Sequence, residues 1–326
     1  MTILHVEDIV KKYGDFQAVK GISFAVEKGE IFGFLGPNGA GKSTTIKILC
    51  TLLSLTSGKA VLNGFDVSKE TLKVRQSIGL VFQDYSLDDR LTAEENLYFH
   101  GMLYNVPREL LRERMEQVLK MVDLIERKDD QVRKFSGGMK RRLEIARGLL
   151  HHPKVLFLDE PTIGLDPQTR RAIWNHVINL RDEFGLTVFM TTHYMEEAEH
   201  CDRIAIIDHG EIVALDSPVS LKAQVGGDII TVKTNQNEEI AKLIQERYNL
   251  ESKLEGEFLR LEVQDGSSFV PQIVADFPGA ILSIHVHEPT LDDVFLKLTG
   301  RAIRDELISE ADRAKQKVRS FRKGKR

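Results

Sequence analysis

The chain reads Gly36-Pro37-Asn38-Gly39-Ala40-Gly41-Lys42-Ser43-Thr44 immediately after the apolar run of residues 31–35. This order of strand, glycine-rich loop and helix is typical of the P-loop that wraps the phosphates of a nucleotide. Glycines let the backbone curl at positive φ, so that successive N–H groups point at phosphate oxygens. Lys42 then reaches the β- and γ-phosphates, and the Ser43 hydroxyl offers a ligand to Mg²⁺. The sequence therefore predicts a nucleoside-triphosphate site at residues 36–44.

Length and composition limit what this chain can be. Its 326 residues are enough for two domains of ordinary size. Charged residues make up 29% and the formal net charge is −4, so the overall balance requires no nucleic-acid partner, and we expect none. Cys50 and Cys201 lack the paired spacing of a zinc site, which fits a reducing cytosol. Neither a secretion signal nor a run of about 18 apolar residues is apparent, so we expect neither secretion nor a membrane span.

Strand-like and helix-like segments alternate along the first two thirds of the chain, which is typical of an α/β fold. Short apolar runs indicate strands at residues 22–26, 31–35, 78–82, 155–158, 187–191 and 203–208. Between residues 84 and 150 the strand signal vanishes, and Thr92 with Glu95 forms the capping-box pattern of a helix start. We therefore predict a helical insert at about 84–150 within an α/β domain that covers residues 1–220.

A second, smaller domain is predicted at residues 227–300. Strand and helix signals follow there in the order β-α-β-β-α-β, which suggests a small α+β domain of ferredoxin-like type. One face of a further amphipathic helix carries Leu291, Val294, Phe295 and Leu298. The tail, residues 301–326, is basic, and we interpret it as a solvated terminus.

Two adjacent carboxylates follow the apolar strand predicted at residues 155–158. Asp159, at the carboxyl end of a strand beside the P-loop, is placed to hold Mg²⁺ directly or through its waters. Glu160 points elsewhere and can polarise a water for in-line attack on the γ-phosphate. Such a pair on its own more often marks a solvated turn at a strand end, but the P-loop upstream favours the catalytic interpretation. We therefore assign Asp159 to the metal and Glu160 to the catalytic base.

A second cluster of small residues begins another predicted helix. Ser136-Gly137-Gly138-Met139 precede apolar residues at helical spacing, so free N–H groups and a serine hydroxyl gather at one helix N-terminus. This is a second anion site, for which a chain with one P-loop has no obvious need. The sequence here resembles the ATP-binding subunit of an ABC transporter, in which the serine-glycine-glycine segment of one subunit caps the ATP held on the P-loop of the other. The resemblance implies ATP and Mg²⁺ as ligands and a head-to-tail homodimer.

The same resemblance assigns roles to further positions. Tyr13 matches the aromatic residue that stacks on adenine, and Gln83 matches the glutamine that touches Mg²⁺ or the attacking water and links to the membrane partner. Asp166, in Gly164-Leu165-Asp166, matches the loop that signals between the two sites. His193 resembles the switch histidine that contacts the γ-phosphate and orients Glu160. The resemblance covers residues 4–217 and implies an ABC cassette of the P-loop NTPase fold.

Departures from the usual motif narrow the branch of the family. Phe135 and Met139 stand where leucine and glutamine are usual, but Ser136 and the Gly138 N–H carry the phosphate contact, so we expect binding to survive. This variant motif, together with residues 288–300, resembles the drug-resistance branch of bacterial and archaeal ABC ATPases. That branch serves separate ABC-2 type membrane subunits, which implies export and a peripheral position on the cytoplasmic face of the cell membrane.

Two other functions fit a cassette of this kind. The main alternative is a soluble, non-transport ABC ATPase acting on ribosomes or nucleic acid, but such proteins usually carry two cassettes or a long coiled-coil insertion, and neither is apparent. A regulatory module that uses ATP only as a switch is disfavoured by the intact Glu160. We therefore interpret the chain as an ATP hydrolase that drives export through a separate membrane protein.

Overall fold

The structure, a computed structural model, describes residues 1–300, and the basic tail at 301–326 lies outside that range. Its strands are β1 (Thr2–Tyr13), β2 (Phe16–Glu27), β3 (Ile31–Leu35), β4 (Ser57–Leu62), β5 (Phe65–Asp66), β6 (Ile78–Val81), β7 (Val155–Asp159), β8 (Thr187–Thr192), β9 (Arg203–Asp208), β10 (Glu211–Asp216), β11 (Asp228–Thr234), β12 (Ser252–Glu255), β13 (Phe258–Val263) and β14 (Ile281–His287). Its α-helices are α1 (Lys42–Leu49), α2 (Thr71–Ser77), α3 (Ala93–Leu103), α4 (Arg108–Met121), α5 (Gly137–Leu149), α6 (Pro167–Phe184), α7 (Met195–Ala198), α8 (Pro218–Ala223), α9 (Asn237–Tyr248), α10 (Gly266–Asp276) and α11 (Leu291–Thr299). Within the described range, no helix is both long enough and apolar enough to cross a membrane.

The described chain divides into two compact units between Asp216 and Ser217. This division falls slightly before the boundary predicted at residue 220, because α8 packs against α11 and so belongs to the second unit. The Lys297 ammonium supports that packing by donating a hydrogen bond of 2.8 Å to the Val225 carbonyl.

A six-stranded sheet forms the centre of the first unit, in the order β10-β9-β3-β8-β7-β6. Its strands run parallel except β10, which is antiparallel to β9. Every residue of β3, β7 and β8 is buried, as expected for parallel strands that are covered on both faces and read as continuous apolar runs. Because parallel strands end at the same edge, the residues that follow β3, β6, β7 and β8 gather there.

A second, antiparallel sheet in the order β2-β1-β4-β5 belongs to the same unit. The sequence pattern predicts only residues 22–26 of this sheet and misses β1, β4 and β5. Burial does not alternate strictly along β1, because its register with β2 shifts at several points, for example between Val6 and Ile9. Such shifts break the period-two pattern from which a half-buried strand is predicted.

Aromatic rings join the two sheets of the first unit. Between ring centroids, Phe24 on β2 lies 5.4 Å from Phe32 and 5.5 Å from Phe34 on β3. Phe189 on β8 lies 5.9 Å from Phe24 and 5.3 Å from Phe157 on β7. Burying each ring contributes on the order of 1.5–3 kcal/mol, so this cluster holds β3, and the start of the loop that follows it, against the rest of the unit.

The chain between β6 and β7 is helical, as the sequence pattern indicates. It contains α3, α4 and α5 with two 3-10 turns, Ile125–Arg127 and Val132–Lys134. Helix α3 begins at the predicted capping box: the Glu95 N–H donates to Thr92 Oγ1 at 3.1 Å, and the Thr92 N–H donates to Glu95 Oε2 at 2.7 Å.

The second unit contains an antiparallel sheet in the order β12-β13-β11-β14. Its elements follow one another as β11-α9-β12-β13-α10-β14, the order predicted from the sequence. Helix α11 is held at its N-terminus by Asp293, whose carboxylate accepts hydrogen bonds from Thr290 and from the buried Arg260 guanidinium at 2.7 Å. The motif that resembles the drug-resistance branch therefore has a packing role as a buried helix cap.

Candidate nucleotide-binding site

The predicted P-loop joins β3 to α1 at the carboxyl edge of the central sheet. Gly36 packs so closely that a Cβ there would lie 2.2 Å from the Ile207 carbonyl oxygen, and Gly41 adopts a φ of +109°. Both positions favour glycine, as a loop that curls its backbone around phosphates requires. Helix α1 begins at Lys42, so its free N-terminal N–H groups lie at the end of this loop.

The Lys42 ammonium is buried inside the loop, with only 4% of the side chain exposed. It donates hydrogen bonds of 2.8 Å to the Gly36 carbonyl and 3.0 Å to the Pro37 carbonyl. It also lies 3.2 Å from Glu160 Oε1. The structure thus brings the predicted phosphate-binding lysine and the predicted base into direct contact, and a buried cation of this kind attracts anionic ligands.

Ser43 and Asp159, the predicted metal ligands, also meet. Ser43 Oγ donates to Asp159 Oδ1 at 3.2 Å, and Thr191 Oγ1 on β8 donates to the same oxygen at 2.6 Å. Hydroxyl and carboxylate oxygens are the ligands that Mg²⁺ prefers, so this pair fits the ion that the sequence predicts.

Glu160 follows β7 directly and has the left-handed φ of +46°, which is unusual for a residue other than glycine. Its N–H donates to the carbonyl and the hydroxyl of Thr191, at 3.2 and 3.1 Å, and these bonds fix the turn. Burial acts to raise the pKa of Glu160, but its contacts with His193 and Lys42 outweigh burial, so the pKa lies below its ordinary value. The carboxylate is therefore ionised at neutral pH, as a general base must be.

His193 follows β8 and lies near the carboxylate oxygen of Glu160 that Lys42 does not contact. Its Nδ1 lies 3.4 Å from Glu160 Oε2, which is within ion-pair range but long for a hydrogen bond. His193 is 8% exposed, and its ring lies against the Tyr194 ring, with centroids 4.1 Å apart and the ring planes tilted by 39°. Lys42, Glu160 and His193 therefore form one buried row at the sheet edge.

The second predicted anion site begins α5. Ser136 is the N-cap residue, and its Oγ accepts the Met139 N–H at 3.3 Å. Ser136 and Gly137 are exposed, whereas Gly138 packs so closely on α6 that a Cβ there would lie 2.4 Å from Thr169 Cγ2. In the described residues, no hydrogen bond or ion pair joins residues 136–139 to residues 36–44.

Comparison with known proteins identifies the family. Residues 19–163 match the sequence profile of the ABC transporter family. A linearmycin resistance ATP-binding protein of Bacillus subtilis is 42% identical over 93% of this chain and 100% of its own length. The chain belongs to the ATP-binding subunits of ABC transporters. A daunorubicin resistance ATP-binding protein of Streptomyces coeruleorubidus is 38% identical over 94% of this chain and 98% of its own length, which confirms the drug-resistance branch of this family.

Solved structures of ABC ATP-binding subunits confirm the P-loop NTPase cassette. The cbiO1 subunit of an ABC transporter complex from Clostridium perfringens has a TM-score of 0.64 at 29% identity, over 76% of this chain and 96% of its own. An ATP-binding cassette in a dimeric post-hydrolysis state with ADP and Pi has a TM-score of 0.60 at 30% identity, over 66% of this chain and 98% of its own. ABC ATPases hydrolyse ATP, so this ABC subunit is an ATP hydrolase.

Asp166 caps helix α6 of this ABC subunit. Its carboxylate accepts hydrogen bonds of 3.0 Å from the Thr169 N–H and 2.6 Å from Thr169 Oγ1. These two bonds hold the pKa of Asp166 below its ordinary value. The same turn packs against the start of α5. The approach is so close that a Cβ on Gly137 would lie 3.2 Å from Leu165 Cδ2. The loop predicted to signal between ABC sites therefore touches the serine-glycine-glycine segment.

Tyr13 and Gln83 are not drawn into the buried row. Tyr13 lies at the end of β1, is 49% exposed, and has the Lys11 ammonium 5.1 Å from its ring centroid. Gln83 follows β6 and is exposed, and among the described residues no hydrogen bond to its carboxamide is found, although its backbone carbonyl accepts one from Arg141. Both side chains are therefore available for contact with a ligand, as the resemblance to ABC subunits implies.

A buried carboxylate that sequence reasoning missed lies behind the row. Glu197 on α7 is 1% exposed and accepts hydrogen bonds from Thr162 Oγ1 and, at 2.6 Å, from Thr192 Oγ1. Thr192 Oγ1 in turn accepts the Tyr194 N–H at 2.9 Å, so these contacts bracket His193. Residues 196 and 197 are both glutamates, and their sequence context shows no signal that separates the buried one from its exposed neighbour.

Proposed function

We propose that two copies of this chain form a head-to-tail homodimer that hydrolyses ATP to drive export through a separate membrane subunit. Each ATP lies between the P-loop of one copy and residues 136–139 of the other. The observation that carries the proposal is the buried row in which Glu160 lies 3.2 Å from Lys42 and 3.4 Å from His193, beside a loop shaped for phosphates. A buried, ionised base next to a phosphate site is suited to hydrolysis and not to binding alone.

The reaction is transfer of the γ-phosphoryl group to water. A bond forms between the water oxygen and the γ-phosphorus, and the bond from that phosphorus to the bridging oxygen breaks. Glu160 accepts the proton of the attacking water. His193 contacts both Glu160 and the γ-phosphate and so keeps the two groups aligned. The Lys42 ammonium and the N–H groups of α1 bind phosphate oxygens and spread the developing charge. Ser43, Asp159 and Gln83 would hold Mg²⁺, which neutralises phosphate charge when it is bound.

The separation of the two anion sites supports a dimer. Ser136 and Gly137 are exposed at a helix N-terminus that no hydrogen bond or ion pair joins to the P-loop in the described residues. A surface that binds phosphate but lies apart from the nucleotide loop of its own chain is completed by a second copy. The relative solved with ADP and Pi is itself a dimer, which favours the same arrangement.

Glu160→Gln tests the proposal. We expect this variant to bind ATP, to hydrolyse it at least about 100-fold more slowly because the base is lost, and to accumulate as a dimer with Mg-ATP. Phosphate release measures the rate of hydrolysis, and sedimentation measures the dimer. The control is Glu183→Gln, at an exposed position on α6, which should hydrolyse ATP at the native rate and should not accumulate as a dimer. Native turnover in Glu160→Gln would exclude this base, and a persistent monomer would exclude the homodimer.

An apolar surface on helices α3 and α4 supports docking of a membrane subunit. On α3, Tyr98 is 48% exposed, and Phe99 and Leu103 are each 63% exposed. Tyr98 and Phe99 line a groove of about 560 Å³ with residues of α4, including Arg108. Clustered exposed aromatic residues mark interaction sites, and we assign this groove to a cytoplasmic helix of an ABC-2 type permease. Phe99→Glu should prevent co-purification of the permease from detergent-solubilised membranes, and retention of the permease would contradict the assignment.

Export is the direction that the relatives favour. Besides the two resistance proteins, a Nod factor export ATP-binding protein of Ralstonia nicotianae is 38% identical over 93% of this chain and 95% of its own length. We propose the same direction here, with the chain bound peripherally to the cytoplasmic face of the cell membrane through the permease. Contacts with the cargo belong to that permease. Uptake of a dye into inverted vesicles, dependent on ATP and lost in Glu160→Gln, would support export, and ATP-driven loss of dye would contradict it.

A further inference from the structure

The segment that follows β6, residues 82–86, is held to helix α5 by a set of contacts that we call the clamp. It consists of Arg141, Glu144 and Arg147 on one face of α5, and of Tyr85 in the segment. Arg141 donates 2.5 Å and 2.8 Å hydrogen bonds from Nη1 and Nη2 to the carbonyls of Phe82 and Gln83. Its guanidinium carbon lies 5.1 Å from the Tyr85 ring centroid. Two consecutive carbonyls are thus held by one planar side chain.

The other members hold the far end of the segment. Glu144, which is fully buried, accepts the Ser86 N–H at 2.7 Å, and Arg147 donates to the Ser86 carbonyl at 2.8 Å while pairing with Glu144. Tyr85 Oη donates to the Gly137 carbonyl at 3.1 Å. The segment is therefore bonded to the first turn of α5, beside Ser136, and to the middle of the same helix.

Arg141 is the central member because its burial is nearly complete. It is 1% exposed, and within the described part of the chain no carboxylate lies within ion-pair distance of it. Its charge is therefore compensated by the two carbonyls and the Tyr85 ring. Removing either partner of such a buried contact leaves an unsatisfied polar group, so the helix and the segment are held in one arrangement.

We propose that the clamp makes the Gln83 segment and the start of α5 move as one body, so that Arg141 is a positioning residue that couples the two ATP sites of the dimer. This inference rests on the proposed function. Gln83 lies at the same edge of the central sheet as the P-loop of its own chain. In the proposed dimer, Ser136 acts on the ATP of the other copy. ATP that moves Gln83 in one site therefore moves Ser136 in the other, and the coupling is reciprocal.

The test is the dependence of ATP hydrolysis on ATP concentration. With two coupled sites, we expect the native chain to show a Hill coefficient of about 1.5 to 2, and Arg141→Lys to lower it to about 1. Lysine keeps the charge but cannot hold two carbonyls in the plane of one fork. Arg142→Lys is the matched control, because the neighbouring Arg142 bonds the Val122 carbonyl instead and should keep the native coefficient.

Tyr85→Phe is a second and milder variant, which removes only the hydroxyl bonded to Gly137 from a side chain that is 41% exposed. It should lower the Hill coefficient while leaving the thermal unfolding temperature near native, and it decides the question if Arg141→Lys does not fold. A packing role alone would lower stability and leave the coefficient unchanged.

The outcomes separate this inference from the proposed function. A native Hill coefficient of about 1, or a native coefficient retained in a folded Arg141→Lys or in Tyr85→Phe, overturns the coupling. The dimer itself is judged only by the Glu160→Gln sedimentation. If Glu160→Gln forms a dimer but the clamp variants keep the native Hill coefficient, the proposed function stands and the coupling role of the clamp is excluded.

Discussion

At the scale of single residues, Glu197 offers the most direct test of how His193 is held. Its two carboxylate oxygens accept the hydroxyls of Thr162 and Thr192. Glu197→Gln keeps the volume but replaces one acceptor oxygen by a donor, so one buried hydroxyl loses its partner at a cost of about 1–3 kcal/mol. We expect kcat to fall about tenfold while KM changes less than about threefold, because positioning and not ATP affinity is lost. Steady-state kinetics with urea unfolding measure both effects.

Glu196→Gln is the control for this prediction. Glu196 is adjacent on α7 but exposed, so its loss should leave kcat and stability near native. If Glu197→Gln hydrolyses ATP as fast as the native chain, the hydroxyl contacts are not needed to orient His193.

Sequence reasoning located most of the candidate site because its residues follow buried parallel strands. Asp159 and Glu160 could be predicted because they follow the apolar run at residues 155–158, whereas the role of His193 follows only from the resemblance to ABC subunits. The structure brings all three to one edge. Glu197 and Arg141 could not be predicted in the same way. Each is a charged residue next to another of like charge on a helix, and only the packing shows that one of each pair is buried.

At the scale of elements, helix α3 contains a histidine that makes the fold sensitive to acid. Burial first, and then the positive charges of Arg147 and His151, lower the pKa of His100 to about 3. The folded state therefore favours neutral His100. The stability that depends on this neutral form is complete above the unfolded pKa of about 6.5, and the folded state loses it as the pH falls below that value. At pH 5.5 the loss is about 1.4 kcal/mol.

His100→Gln should remove this part of the acid sensitivity. We expect the difference in free energy of unfolding between pH 7.5 and pH 5.5 to shrink by about 1.4 kcal/mol in the variant. Urea unfolding at the two pH values measures it, and the exposed His285→Gln on β14 should keep the native difference. An unchanged difference in His100→Gln would mean that His100 titrates normally in the folded chain.

Elements were predictable where their pattern is uninterrupted. The parallel strands and the βαββαβ order of the second unit show clear runs and turns, whereas β1 carries register shifts with both of its neighbours. A bulged strand at a half-exposed sheet has neither a continuous apolar run nor a strict alternation. The clamp could not be predicted either. Every residue has a backbone carbonyl, so the sequence does not show which carbonyls accept hydrogen bonds from Arg141 and Arg147.

At the scale of the whole molecule, the decisive question is whether each ATP site is built from two copies. Lys42→Ala removes the lysine that we propose to bind phosphate, and Ser136→Arg blocks the exposed cap of α5, so each variant alone should form two defective sites. In a mixed dimer, one site receives both defects and the other receives neither. If subunits pair at random, half of the dimers are mixed and each has one intact site, so the mixture should recover up to about one quarter of native activity, with the full quarter reached only when the intact site keeps its native rate.

The recovery is specific to sites shared between copies. A site formed within one chain would keep both variants inactive in any mixture, and activity equal to the average of the separate variants would exclude the head-to-tail arrangement. Mixing Lys42→Ala with Glu160→Gln is the control, because both defects affect the cis half of the site and every site keeps one of them. Because each mixed dimer has only one intact site, it should hydrolyse ATP with a Hill coefficient of about 1 even where its rate recovers.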